Sequence, residues 1–150
     1  MSTQGLFNAL VSHGMASGLF ERVSSHEPKN APGNGYSMFV YLDRIVPAAS
    51  ASGLNSTTGL VIFTVEIRAS FTSKPEDDID PNLLAAVDTM FTAYSGDFEM
   101  GGLIRNVDLL GQFGVPLMAD FGYKEQDKMM YRTAVLTVPL VVNDLWSQSP

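Results

Sequence analysis

The chain contains no cysteine. That absence removes disulfide scaffolds, thiolate zinc sites and thiol nucleophiles together. Charge is scarce as well, at 17% of 150 residues, where soluble domains average about 25%. A monomer with so little charge has difficulty covering its surface, so the composition points to an oligomer. Basic residues are the scarcer sign: 9 Lys+Arg face 16 Asp+Glu, a formal net charge of -7. Phosphate neutralisation needs clustered Lys and Arg, so a nucleic-acid-binding module of the usual basic kind is excluded. Long apolar runs are missing too. The best, Ala134 to Val142, is interrupted by Thr137 and Pro139 and has the length of a strand. The opening MSTQGLFNALVSHG lacks the basic and apolar regions of a secretory signal, so a soluble protein made in a cytoplasm is expected.

What is present is core material: 45% hydrophobic and 10% aromatic residues, enough for one packed domain spanning 1–150. Residues 4–17 have helical spacing, with Leu6, Phe7, Leu10, Val11 and Gly14 on one face and Thr3 as a candidate cap. Phe20 to Ser24 reads as a short strand, and Tyr36 to Val46 alternates like a longer one. The clearest strand follows. Val61, Phe63, Val65, Ile67, Ala69 and Phe71 face one way, while Thr64, Glu66, Arg68 and Ser70 face the other.

After the acidic segment SKPEDDID, a second helix is expected with Asp80 as cap and Pro81 in its first turn. Its buried stripe is Leu83, Leu84, Val87, Met90, Phe91 and Tyr94. Strands are expected over 103–110 and 129–143, with a long loop over 111–128. The order α-β-β-β-α-β-β predicts an α+β domain: one mostly antiparallel or mixed sheet packed by two helices. The last strand is apolar on both faces, Met129, Tyr131 and Val135 opposing Met130, Ala134, Leu136 and Val138. Such a strand is either central in the sheet or in contact with another chain.

Chemical motifs are weak. No phosphate-binding loop is present, and Ser17 sits at a helix end instead of on a strand-turn-helix. His13 and His26 are too few for a histidine metal site and read as structural. Glu76, Asp77, Asp78 and Asp80 lack calcium-loop spacing and read as carboxylates gathered before a helix N-terminus. No catalytic, metal or cofactor residue is therefore assigned.

The arginines are distributed unusually. Arg22, Arg44, Arg68, Arg105 and Arg132 all fall in expected strands, whereas Lys29, Lys74, Lys124 and Lys128 all fall in loops. Glu21, Asp43, Glu66 and Asp108 lie close to the first four arginines. One reading is a solvated sheet face with weak cross-strand ion pairs. The other is a polar interface between subunits, because Arg is enriched at interfaces and Lys depleted. On that second reading Glu21, Arg22, Asp43, Arg44, Glu66, Arg68, Arg105, Asp108, Tyr131 and Arg132 are candidate interface residues. The uncharged stretch PAASASGLNSTT is long for a hairpin tip. Within it Ala49, Ser50, Ala51, Ser52, Gly53, Leu54, Asn55 and Ser56 are a candidate arm that orders on assembly.

The layout resembles the tail terminator proteins of long-tailed bacteriophages. The likeness rests on the N-terminal helix, the Phe20-Glu21-Arg22-Val23 strand, the long strands flanking a small-residue loop, and the Pro-initiated helix before strands ending VPLVVNDLW. It implies a non-enzymatic virion component of the tail or neck, with no cofactor. Such proteins form a ring, typically of six subunits, that caps the tail tube and meets the head-completion or connector protein. DNA passes through the ring's lumen without specific binding, and an acidic chain suits such a conduit. Alternatives are a head-completion protein, a tail tube subunit, or a small α+β ligand-binding domain or enzyme.

Overall fold

The computed structural model describes residues 3–20, 22–25, 36–47, 56–70, 79–97, 99–126 and 128–147. Glu21, His26, the acidic residues Glu76 to Asp78, and 49–55 of the candidate arm lie outside the described residues. Two helices, α1 (Thr3–Ser17) and α2 (Ile79–Gly96), pack on a mixed sheet. Its strands are β1 (Arg22–Ser24), β2 (Tyr36–Pro47), β3 (Ser56–Ser70), β4 (Asn106–Val107), β5 (Met118–Gln126) and β6 (Met129–Ser147). The expected α+β order is found, and β5 is a strand within the segment expected to be a loop.

The sheet runs β1-β2-β3-β6, and β4 and β5 share the far edge of β6. Among the described strands β1 and β2 pair parallel, and the other pairings are antiparallel. Pairing of β5 ends at Met118↔Thr137, and that of β4 begins at Val107↔Leu140. Pro139, which has no N–H to give a ladder, falls in the changeover between them. Strand β6 is thus central over most of its length. Tyr131 and Ala134 are fully buried within the chain, as the central position explains, whereas Met130 remains 46% exposed.

The odd-numbered positions of β3 build the main core. Val61, Phe63, Val65 and Ile67 are all buried there, joined by Leu6 and Leu10 of α1 and Leu83, Val87 and Met90 of α2. Phe7 meets Phe63 edge to face, their centroids 5.0 Å apart. Gly14 lets α1 lie close to the sheet, because a Cβ there would come within 2.8 Å of the Met38 Sδ and Cε atoms. The Tyr94 hydroxyl reaches the Leu10 carbonyl at 3.4 Å and ties the helices together, and burial pushes its phenol pKa well up. Leu84 departs from the expected stripe. It lies on the flank of α2 and is 60% exposed.

Strands β5 and β6 form a hairpin in which Gln126 pairs with Met129, leaving a two-residue turn. Lys128 takes φ +64° there, a left-handed conformation that costs a side chain with a Cβ about 1 kcal/mol. Lys128→Gly should therefore stabilise the chain slightly, by up to about 0.5 kcal/mol after the glycine entropy penalty. Urea denaturation at constant slope measures this, and a loss of stability would show that the lysine side chain has another role.

Candidate functional site

Three groups of polar side chains gather the residues singled out in the sequence. The first lies on the sheet face away from the main core. Glu66 and Arg68 are two residues apart on β3, so they project to the same side. Arg68 Nε donates to Glu66 Oε2 at 2.5 Å, and Lys124 of β5 donates to Glu66 Oε1. The Tyr41 hydroxyl donates to the same oxygen at 3.5 Å. Glu66 is fully buried and the Arg68 side chain only 6% exposed, whereas Lys124 remains 43% exposed. Phe39, directly opposite Glu66, carries the Arg22 guanidinium 5.6 Å and that of Arg68 6.0 Å from its ring centre. This is a desolvated charge cluster within the chain, where a solvated face was one of the two expectations. Lys124 belongs to a strand, not a loop.

Arg132 organises the second group on the opposite face. Its Nε donates to Asp80 Oδ1 at 2.9 Å and its Nη1 to the Gly122 carbonyl at 3.1 Å. Its guanidinium lies 4.5 Å from the Tyr123 ring centre and 6.0 Å from that of Phe121. The hydrogen bond that it donates to the Asp80 carboxylate raises the Arg132 pKa above its ordinary value. Asp80 was expected to cap α2. It lies instead inside the first turn, with its carboxylate fastening the helix to β6. Because Asp80 is 66% exposed, Asp80→Ala should cost below about 1 kcal/mol. A thermal melt checks this, and a much larger loss would restore the capping role. Asp80, Leu84, Phe121 and Arg132 line a shallow cleft of about 260 Å³.

Asp108 forms the third group. It is buried, and its two carboxylate oxygens accept the backbone N–H groups of Gln112 at 2.8 Å and Phe113 at 3.0 Å. Its own N–H donates to the Pro139 carbonyl at 2.9 Å. The expected association with Arg105 is not formed; Arg105 is exposed, just ahead of β4. Asp43 occupies the irregularity in the β2–β3 ladder, and its oxygen is 3.9 Å from Arg44 Nε, both side chains at least half exposed.

Of the candidate interface residues, Glu66, Arg68, Asp108 and Tyr131 are buried within the chain. Arg22 is half-buried, and Asp43, Arg44 and Arg105 are exposed. Ser56 opens β3. His13 gains the acidic partner its own helix does not supply: Asp97, beyond the end of α2, lies 2.9 Å from Nε2 and also accepts the Gly101 N–H. Phe121 and Tyr123 went unnoticed in the sequence, although aromatic residues two apart are a strand signal.

No protein-family model matches this chain, and no curated protein matches its sequence. Among solved structures it is similar to the sheath/tube terminator of an extracellular contractile injection system, PVC, in the extended state. The TM-score is 0.34 at 12% sequence identity, and the match covers 100% of this chain and 60% of that one. The chain thus spans less than two thirds of that protein's length.

Proposed function

We propose that this protein is a structural subunit of a phage-type tail, forming a ring that caps the tail tube, ends its growth and joins it to the head-completion proteins. The observation that carries this reading is the exposed aromatic patch around Arg132. Phe121 is 43% exposed, Tyr123 59%, Met130 46% and Leu84 60%. Aromatic residues and Arg mark the centres of protein interfaces, and an apolar patch of this kind on a chain with few charges calls for a partner. The element order that resembles tail terminators supplies the identity of the assembly, and the acidic net charge suits a DNA conduit within a virion.

Electron microscopy of the purified chain tests the proposal. Closed rings are expected, and tail-producing cells lacking the protein should make tubes of uncontrolled length. Long tubes from the pure protein would make it a tube subunit instead. Particles of single-subunit size at every concentration would favour a ligand-binding domain or enzyme.

A further inference from the structure

The two outer edges of the sheet are related in a way that the pairing registers reveal. Arg22 of β1 pairs with Ser37, Ser37 with Arg68, Arg68 with Thr133, and Thr133 with Gly122 of β5. Val23 and Phe121 end the next row, and Ser24 and Asp120 the one after. The short edge β1 and the centre of the edge β5 therefore stand at the same height on opposite sides of the sheet. Their directions are opposite. Strand β1 runs with β2, against β3, with β6 and against β5. Among the described residues no strand pairs with the outer side of either. A nine-residue edge with exposed Phe121 and Tyr123 is a template for another strand.

We propose that β5 of one subunit pairs antiparallel with β1 of the next, joining copies of this chain head to tail through their sheet edges. The inference rests on the ring reading and names its contact. Continuing the rows places Val23 of one copy opposite Phe121 of its neighbour, on the helix-covered face. On the other face Arg22 stands opposite Gly122, which leaves it room, and diagonal to Asp120. That diagonal is within reach of a long side chain. Asp120 is exposed and has no ion pair among the described residues, so the two edges are complementary in charge. Lys124, on the other diagonal, is turned inward to Glu66. Because the edges lie on opposite sides of the subunit, each copy takes two neighbours, as a closed ring requires.

Sedimentation of the full chain over a range of concentrations tests this. Arg22→Glu and Asp120→Arg should each weaken assembly about tenfold, and the double exchange should restore it. Ser24→Lys, placing a cation opposite Asp120 while Arg22 itself is kept, should tighten assembly. It serves as the independent variant should Arg22→Glu lower the melting temperature. An oligomer unaffected by the single exchanges, or not restored by the double one, overturns edge pairing while leaving the ring reading intact. A wild-type chain that stays a monomer at every concentration overturns both.

Discussion

Glu66→Leu should lower the unfolding free energy by about 3–5 kcal/mol, a fall of roughly 6–20 °C in melting temperature for a domain of this size. The carboxylate is the shared acceptor of Arg68, Lys124 and Tyr41 at a site without solvent access. Removing it leaves the Arg68 guanidinium buried against Phe39 with its carboxylate gone. Lys124, nearly half exposed, can turn to water. The contrast with the double variant makes the test sharp. In Glu66→Leu with Arg68→Met both desolvated charges disappear, and replacing a buried pair by apolar groups of similar size is often close to neutral. The double variant should therefore be more stable than Glu66→Leu alone. Urea denaturation of the four proteins closes the cycle. Losses that simply add would show that the two residues do not act as a pair. A fall in assembly with unchanged protomer stability would return Glu66 and Arg68 to a contact between subunits.

The long elements were legible because a single periodicity runs through each. The alternation from Val61 to Ala69 and the helical spacing of Leu83, Val87, Met90 and Tyr94 match the residues that are buried. Strand β5 was hidden for three reasons. Its centre is Gly122, both its faces carry exposed residues, and its turn contains Lys128 where Asn-Gly would announce a hairpin. With Gly111 and Gly114 just before it, the whole stretch took on the texture of a loop. The strand expected over 103–110 shrinks to Asn106–Val107, because Leu109 and Leu110 belong to the turn that Asp108 organises.

The site was legible in pairs but not in depth. Alternation places Glu66 and Arg68 on the same side of β3, yet it says nothing about whether that side is covered. Burial depends on residues distant in sequence, and Lys124 lies 58 positions from Glu66. The same limit applies to His13, whose acid partner is 84 residues away. Arg132 was recognisable as unusual from its place in a strand. Its aromatic neighbours became visible only once β5 was paired with β6 in the observed register. Local sequence identifies the face a side chain takes; its surroundings follow from topology.

Asp108 gives the clearest separation between a residue that holds a subunit together and one that joins subunits. Asp108→Ala should cost about 2–4 kcal/mol, because two charge-assisted bonds to the Gln112 and Phe113 N–H groups vanish from a buried position. Asp108→Asn retains one acceptor and offers a donor to the other N–H, so it should lose about half as much. The damage should be local as well. The turn from Leu109 to Leu117 is closed by these bonds and by the Leu117 N–H donating to the Leu109 carbonyl at 3.3 Å. It supplies Phe113 and Val115, which pack on Leu60, Ile62 and Val141. Loosening it uncovers that small second core, so proteolysis within 109–117 should accelerate before global unfolding. Hydrogen exchange at the Gln112 and Phe113 amides reads the same event directly, since these are the donors released. Had Asp108 served to contact a neighbouring subunit through Arg105, both substitutions would reduce assembly and leave those amides protected. The distances within the subunit predict the opposite.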